Sequence, residues 1–466
     1  MIDSLRIHAD AEPGPRHGRG HVLYWMQSTF RTRENHALEF AIQQANALRL
    51  PLVVYHGLRH DYPWASDRFH TFLLETVVDL YAEFDALGIQ YAFYLERGGD
   101  DAAAGRAAGQ PSPLVELAGR AALVVTDYFP TFVAPRQTRA LRRKVDTPVV
   151  AVDSATVVPI RYHERAHTTA VSFRRAVMAA LPRFLEGSQR AELEVREPVE
   201  LAFEPTRPDG DIARLVASCD VDHAVGVAPD IRGGPRAARR QLERFVEAGL
   251  PRYADDRNDP NADATSRLSP YLHFGNISPA EVVRMVRDAG PAAAAASFVD
   301  ELVTWRELAF NFVHHDPRHR TLAAIPTWAR EELRAGESDP RPALYAAEEL
   351  EAARTGSPLW NAAQTAYVRD GWMPNALRML WGKAVVQWTR TADEALRVLE
   401  HLNNKYALDG RDPSTYLNLQ WVFGKFDRPF YRRPIYGTVR YMSLEAAAKK
   451  FDVPQVIRRY SNGGAG

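Results

Sequence analysis

The sequence predicts an α/β domain with a parallel sheet, followed by an all-helical domain. Three observations predict this fold class. Short apolar runs alternate with helical patterns in residues 21–154, the alternation stops in residues 155–235, and only helical patterns follow in residues 236–466. Alternating strands and helices are typical of a parallel sheet with helices on both faces. A chain of 466 residues is long enough for two such domains.

The first domain is predicted from its apolar runs and the helical patterns between them. Residues 1–20 are polar and rich in Gly and Pro, so a loose arm is expected there. Parallel sheets bind ligands beyond the carboxyl ends of their strands, but no G-x-G-x-x-G pattern follows the first strand, so a ligand here stays open. The predicted strands span 21–26, 52–55, 91–95, 123–126 and 149–152, and the predicted helices span 34–49, 67–86, 112–119 and 136–144.

The rest of the chain is predicted to be a connection and a helical domain. Residues 155–235 accumulate Pro, Arg and Glu, which indicates an inter-domain connection along the surface with one or two short helices. Residues 236–466 show no strand pattern. Helices are expected there at 239–248, 279–288, 298–313, 342–353, 360–370, 375–390 and 393–403.

Composition limits the classes of function. Lys plus Arg equal Asp plus Glu in number, so any nucleic-acid binding must come from a local basic patch. Cys219 is the single cysteine, which excludes intramolecular disulfides and a cysteine-rich metal site, and no metal is expected. No apolar run reaches membrane length and the N-terminus lacks a signal-peptide core, so a cytoplasmic protein without membrane contact is expected.

The helix predicted at 298–313 is the most informative one. Glu301 and Trp305 are four residues apart, so they share a helical face, with Arg306 and Glu307 beside it. An acid, a large aromatic ring and a guanidinium on an apolar helix suggest a pocket for a flat and partly polar molecule. A core helix with surface charges is the alternative interpretation.

Two further segments carry groups that suit a cofactor. Residues 263–269 hold consecutive hydroxyls and an Arg just before a helix, a composition that suits phosphate binding but equally a helix N-cap. Residues 403–413 contain carboxylates that could pair with Arg378 or orient a heterocycle, although a solvated surface turn is the alternative.

Aromatic residues also recur in patterns with two interpretations. Trp381 and Trp388 are two helical turns apart, and together with Trp360 they could form a chain of oxidisable rings or simply pack in the core. Between residues 425 and 459, arginines interleave with aromatic residues, which suits a nucleic-acid backbone but also a solvated face. The arginines expected at DNA are Arg428, Arg432, Arg433 and Arg440.

Several long motifs in the same order resemble the DNA photolyases of the photolyase/cryptochrome family, and within it the class II photolyases of cyclobutane pyrimidine dimers. The hallmark motifs lie at 35–39, 268–275, 301–308, 358–364 and 409–413, and the resemblance runs from residue 23 to residue 443. It implies an antenna-type N-terminal domain with a Rossmann-like sheet and a helical domain that binds FAD. It also implies that the protein repairs pyrimidine dimers in UV-damaged DNA. The protein is expected to be monomeric.

The resemblance implies a light-driven reaction in which excited FADH⁻ gives an electron to a flipped-out dimer, which splits and returns it. The residues expected at the dimer and the reactive flavin atoms are Glu301, Trp305, Met379, Trp421 and Asn403. The residues expected to bind FAD are Tyr253, Thr265, Ser266, Leu268, Ser269, Arg306, Asn375, Arg378, Asn403, Asp409 and Arg411. Trp381, Trp360 and Trp388 are expected to relay electrons to oxidised flavin.

Some positions depart from the family pattern. Pro374, Ser414 and Phe430 stand where His, Asn and Trp are common in the family. A deazaflavin antenna could occupy the N-terminal domain. A cryptochrome-like photoreceptor without repair activity is the alternative function, and a light-independent flavoenzyme or nucleic-acid-binding protein is a third.

Overall fold

A six-stranded sheet forms the N-terminal part of the molecule. The computed structural model describes residues 2–9, 14–16, 18–98, 112–187, 190–208 and 210–461. The strands are β1 (Ile7–His8), β2 (His21–Trp25), β3 (Leu52–Leu58), β4 (Gln90–Leu95), β5 (Ala121–Asp127) and β6 (Val149–Val152). Their order across the sheet is β1-β6-β5-β2-β3-β4. Neighbouring strands are parallel except β1, which runs antiparallel to β6 at one edge.

Helices cover both faces of this sheet, and every residue of β2 and β5 is therefore buried. The covering helices are α1 (His36–Leu48), α2 (Asp67–Leu87), α3 (Pro113–Arg120) and α4 (Ala134–Lys144). Asn35 caps α1, since its side chain accepts a hydrogen bond from the backbone N–H of Leu38. Gly88 ends α2 in the left-handed conformation, with φ of 63°. The predicted strands and helices lie within a few residues of these bounds.

Residues 2–9 do not form the loose arm that the composition predicts. β1 extends the sheet, and the Arg6 side chain is buried behind it. The Arg6 guanidinium donates hydrogen bonds to the backbone carbonyls of Asp153, Thr156 and Val157. These carbonyls satisfy the buried donors, so the segment is held against the domain.

The connection between the two parts contains α5 (Ala170–Phe184) and α6 (Ile212–Ala217). α5 has 15 residues and is longer than the short helices expected there. Phe173, Val177 and Leu181 recur at four-residue spacing and are buried, which makes α5 an amphipathic helix packed on the body of the protein.

In the described residues of the C-terminal part, helices are joined by loops and none of the strands of the sheet lies there, so the predicted fold class is confirmed. The helix predicted at 342–353 is confined to five residues. The periodicity does not predict the helices at Tyr253–Asp256, Ser269–His273, Thr327–Ala335, Pro413–Val422 and Val453–Ser461. The helices are α7 (Pro235–Arg244), α8 (Tyr253–Asp256), α9 (Ser269–His273), α10 (Pro279–Ala289), α11 (Ala292–Val299), α12 (Arg306–His315), α13 (Thr327–Ala335), α14 (Ala347–Glu351), α15 (Pro358–Asp370), α16 (Asn375–Trp388), α17 (Ala392–Tyr406), α18 (Pro413–Val422) and α19 (Val453–Ser461).

The helix predicted at 298–313 is not one continuous α-helix. α11 and α12 are joined by a π-helical segment, Asp300–Trp305, where hydrogen bonds span five residues. The backbone N–H of Arg306, for example, bonds to the carbonyl of Glu301. Single π-helical turns occur mostly inside α-helices and often at functional sites. The segment that holds Glu301 and Trp305 has this wider turn, and so does Phe245–Gly249 after α7.

Two buried charged side chains join the sheet to the helical part. Arg68 of α2 donates hydrogen bonds to the backbone carbonyls of Val368 and Tyr406. Glu307 of α12 accepts hydrogen bonds from the backbone N–H groups of Val157 and Val158, and burial raises the pKa of its carboxyl to about 8. Of the helices that the structure describes, none has the length and apolarity to cross a membrane.

Candidate functional site

A cavity opens between the loop before α9, the π-helical segment, α16 and α18. It brings together segments that are more than 150 residues apart in the chain. Most of the residues expected to bind FAD or the dimer line it. These residues are Tyr253, Thr265, Ser266, Leu268, Ser269, Glu301, Trp305, Arg306, Asn375, Arg378, Asp409 and Trp421.

The loop at 263–268 is shaped by two left-handed residues. Asp263 has φ of 49° and Arg267 has φ of 51°, a conformation that is uncommon for residues with a side chain. The Arg267 guanidinium pairs with the Asp263 carboxylate at 2.8 Å and lies 4.9 Å from the Trp372 ring centroid. No side chain caps α9, whose N-cap position is Leu268. The N-cap interpretation of this segment is therefore wrong. Ser266 Oγ accepts a hydrogen bond from the backbone N–H of Leu268 at 3.3 Å, and Thr265, Ser266 and Ser269 line the cavity.

Arg378 and Asp409 form an ion pair on the wall of the cavity. Arg378 Nη2 lies 3.2 Å from the Asp409 carboxylate, and both side chains are largely shielded from water. Burial disfavours the charged Arg378, but Asp409 and the Tyr367 hydroxyl outweigh it and raise the pKa of Arg378. Arg378 Nε is buried and has no hydrogen-bond partner among the described residues. This N–H is left to donate to a molecule bound in the cavity.

A smaller cavity adjoins the first and shares Asn375 and Arg378 with it. Met379 and Asn403 line this smaller cavity. The Asn403 amide is fixed from two sides, because its Oδ1 accepts a hydrogen bond from the Tyr367 hydroxyl and its Nδ2 donates to Thr415 Oγ1 at 3.2 Å. The orientation of Asn403 is thus set by the protein before any ligand binds.

Arg411, which is also expected to bind FAD, lines neither cavity. Its guanidinium lies over the Phe69 ring of α2, 3.6 Å from the centroid, and is buried. Arg411 itself has a left-handed backbone conformation, with φ of 65°, and its side chain extends toward the N-terminal domain. Arg411 therefore joins the two domains instead of contacting the cavity.

Two stacked indoles stand at the mouth of the cavity. The Trp305 and Trp421 ring centroids are 4.9 Å apart with an interplanar angle of 13°. Both rings are half-buried, so they present an aromatic surface to the cavity and to solvent. Trp421 Nε1 donates a hydrogen bond to Asp427 Oδ1 at 3.0 Å, which fixes the plane of that ring.

The Glu301 carboxylate is paired with Arg257 at the same mouth. The Arg257 guanidinium also lies 5.6 Å from the ring centroid of Tyr253. The sequence reasoning missed Arg257 and Asp427. The four-residue spacing of Tyr253 and Arg257 on one helical face could have identified Arg257, whereas nothing in the sequence pairs Trp421 with Asp427.

Three buried tryptophans form a path of ring contacts that starts at the smaller cavity. Trp381 lines this cavity and lies parallel to Trp360, with centroids 6.3 Å apart. Trp360 meets Trp388 edge to face at 5.5 Å. Trp360 Nε1 donates to the Trp381 carbonyl and Trp381 Nε1 donates to Gln364 Oε1. The three tryptophans therefore pack in the core and also form a contiguous aromatic path.

The arginines expected at DNA lie on a segment without helices after α18. Arg428, Arg432 and Arg433 are exposed, whereas Arg440 is half-buried with its guanidinium 5.9 Å from the Phe430 ring centroid. Arg432 is paired with Glu332 at 2.6 Å. Tyr431 is 92% exposed between these charges. The segment offers cations and an aromatic ring to a partner.

A separate pocket lies in the N-terminal domain beyond the carboxyl ends of β2, β3 and β4. Its walls include Trp25, Tyr55 and Tyr94, with Arg59 and Lys144 at its border. The hydroxyl of Tyr94 is buried and has no hydrogen-bond partner among the described residues. Parallel sheets bind ligands at this edge.

Known proteins share both the sequence and the fold. A family model described as DNA photolyase matches residues 22–198. The deoxyribodipyrimidine photo-lyase of Methanothermobacter thermautotrophicus is 34% identical over 461 residues, 98% of each chain. That of Potorous tridactylus is 32% identical and covers 94% of this chain and 81% of its own. The crystal structure of the archaeal photolyase from Sulfolobus tokodaii with two FAD molecules has a TM-score of 0.65 and 18% identity, covering 95% of this chain and 90% of its own.

Proposed function

Since the chain belongs to the DNA photolyase family, we propose that it is a light-dependent lyase that repairs cyclobutane pyrimidine dimers in UV-damaged DNA with bound FAD. The observation that carries this proposal is the stacked Trp305–Trp421 pair beside Glu301, at the mouth of the cavity that contains the Arg378–Asp409 pair. An aromatic platform outside and an ion pair inside suit two adjacent molecules, a lesion and a cofactor.

The donor set of the cavity fits FAD. The free N–H of Arg378 and the Arg378–Asp409 pair suit the polar edge of an isoalloxazine ring, whose electronics such neighbours adjust. The hydroxyls of Thr265 and Ser266 suit a pyrophosphate, with Arg267 as the nearby cation. When bound and reduced, FAD would supply the electron that light transfers to the dimer.

The mouth of the cavity fits a flipped-out dimer. A cyclobutane dimer stacks badly in the duplex, so its extrusion costs less than that of normal bases. Trp305 and Trp421 would hold its rings by stacking. Glu301, which is paired with Arg257, would accept a hydrogen bond from a pyrimidine imide N–H through its carboxylate. Arg257 and Asp427 are positioning residues in this arrangement.

Substitution of Asp427 tests whether the hydrogen bond from Trp421 orients the indole for DNA binding, because the indole itself is kept. Asp427→Ala removes the acceptor of the indole N–H, and we expect affinity for dimer-containing DNA to fall about tenfold, or about 1.4 kcal/mol. Asp427→Asn keeps an acceptor and should retain most of the affinity. The measurement is the Kd for dimer-containing and undamaged oligonucleotides. Wild-type affinity in Asp427→Ala would show that the hydrogen bond does not orient the ring.

Substitution of Trp360 should interrupt the aromatic path. Trp360→Phe removes the middle indole, so electrons from the surface can no longer pass through Trp388 to Trp381. We expect illuminated protein with oxidised flavin and an external reductant to lose most of its photoreduction rate, while chemically reduced protein repairs dimers normally. The control is Trp328→Phe, at a half-buried tryptophan outside the path. A wild-type photoreduction rate in Trp360→Phe would contradict the path.

The N-terminal pocket is proposed to hold a light-harvesting chromophore. Its aromatic walls and the free Tyr94 hydroxyl suit a flat heteroaromatic molecule, and a deazaflavin is the expected class. The crystal structure of the Sulfolobus tokodaii photolyase is described as holding two FAD molecules, with the implication of a novel light-harvesting cofactor. Absorbance and mass of the chromophores released from purified protein would identify the occupant.

The choice of lesion is tested by offering two lesions at once. Duplex DNA that carries both cyclobutane dimers and (6–4) photoproducts is incubated with reduced protein under blue light, and both lesions are counted. We expect loss of cyclobutane dimers alone. Loss of (6–4) photoproducts alone would overturn the proposed substrate, and loss of neither would favour a photoreceptor.

A further inference from the structure

We propose that residues 161–175 form a second surface for the DNA backbone, on the Trp305 side of the cavity mouth. This surface is here named the α5 strip, because it comprises the amino-terminal turns of α5 and the residues before them. The inference rests on the proposed function, since it assigns a further contact to the same DNA.

The α5 strip lies at the rim of the cavity. Arg174 of α5 makes two hydrogen bonds to the Asp300 carboxylate, at 2.6 and 2.8 Å. Asp300 immediately precedes Glu301 on the π-helical segment. The Arg174 guanidinium also lies 5.9 Å from the ring centroid of Trp305. The strip is therefore anchored to Asp300, the chain neighbour of Glu301, and contacts Trp305, which would contact the dimer.

The α5 strip is strongly basic in a chain without net charge. It contains four arginines and one acidic residue, Glu164, so its formal charge is 4 − 1 = +3 with neutral histidines. Several members are exposed and carry cationic or hydroxyl groups, which are the groups that contact phosphates in protein–DNA interfaces. These members are Arg165, Thr168, Thr169, Ser172 and Arg175.

The side chains of two of the four arginines of the α5 strip are bonded within the protein, and those of the other two are not bonded to any described residue. Arg161 donates to the backbone carbonyls of Ser4 and Ile7, and Arg174 is held by Asp300. Arg165 and Arg175 are exposed and no hydrogen bond or ion pair of their side chains is formed among the described residues. Their charges are thus available to phosphates.

A second basic segment follows Asp427, the residue that is bonded to Trp421. Arg428 directly follows Asp427, whose carboxylate accepts the hydrogen bond from Trp421. Residues 428–440 contain four arginines and no acidic residue. The α5 strip therefore contacts one indole of the pair, and the second basic segment begins next to the residue that is bonded to the other indole. A DNA strand that presents an extruded dinucleotide to the indoles has phosphates before and after that dinucleotide. One set of phosphates would contact the α5 strip, and the other set would contact residues 428–440.

The test is the salt dependence of DNA binding by the Arg165→Ala/Arg175→Ala double variant. Each lost phosphate contact reduces the slope of log K against log salt by about 0.9, so the slope should become shallower by about 2. Affinity for undamaged and dimer-containing duplexes should fall by the same factor, because both have the same backbone. Arg165→Lys/Arg175→Lys keeps the charges and should retain most of the slope.

A matched control removes two exposed arginines elsewhere. Arg143→Ala/Arg214→Ala makes the same change of charge on α4 and α6, and it should keep the wild-type slope. A wild-type slope in Arg165→Ala/Arg175→Ala, with a reduced slope in Arg428→Ala/Arg433→Ala, would overturn the inference and leave the proposed function intact. A loss confined to dimer-containing DNA would also overturn it. Wild-type protein that binds neither duplex would overturn the proposed function itself.

Discussion

Trp421→Ala should abolish dimer repair and leave the flavin in place. The substitution removes one of two indoles stacked 4.9 Å apart at the cavity mouth. Stacking of a base on an aromatic side chain contributes about 1–3 kcal/mol, so affinity for the dimer should fall about tenfold to a hundredfold. The remaining Trp305 cannot hold both pyrimidines. Repair per photon and flavin absorbance are measured on the same preparation.

Glu301→Ala should have the same consequence for repair by a different route. It removes the acceptor proposed for an imide N–H and leaves the Arg257 charge without its partner. Trp421→Phe keeps a ring and serves as the control for both variants, since it should repair at a reduced rate. If Trp421→Ala or Glu301→Ala is purified without flavin, the assignment of that residue to the lesion is wrong.

Arg378→Ala should yield protein without flavin. It removes the proposed donor to the cofactor and leaves Asp409 buried without its counter-ion, and breaking a buried ion pair costs about 3–5 kcal/mol. The flavin content per chain and the thermal unfolding of the apoprotein are measured.

The Arg378→Ala/Asp409→Ala double variant separates the two effects of Arg378. Removing both charges should restore much of the stability that Arg378→Ala loses, whereas flavin binding should stay absent. Arg378→Ala protein with one flavin per chain would contradict the proposed cofactor site. Arg287→Ala, on the outer part of α10, is the control for the loss of an arginine.

Local pattern predicts the sheet well because its strands are buried apolar runs bounded by turns, and β2 and β5 illustrate this. It fails for α18. The run at 409–412 forms a turn as predicted, but the pattern does not reveal the helix that follows it. Asp412 caps α18 and Pro413 occupies its first turn, where its missing N–H is not needed. The same turn residues can precede a loop or a helix, and packing decides between them.

The site was predicted from motif resemblance more than from periodicity. Neither reveals the π-helical segment, because the amphipathic pattern of 298–313 fits an ordinary α-helix and the extra residue of the turn depends on tertiary packing. The contact of Arg174 with Trp305 joins positions far apart in sequence. Arg411 lies in one of the motifs that carry the resemblance, yet its guanidinium lies over the Phe69 ring of the N-terminal domain.

The most direct test of the account is the dimer content of UV-irradiated oligothymidine after incubation with chemically reduced wild-type protein. Parallel samples are kept in blue light and in darkness. We expect loss of dimers in the light only. Unchanged dimers in the light, with protein that still carries reduced FAD, would contradict it and make Pro374, Ser414 and Phe430 the first residues to revert.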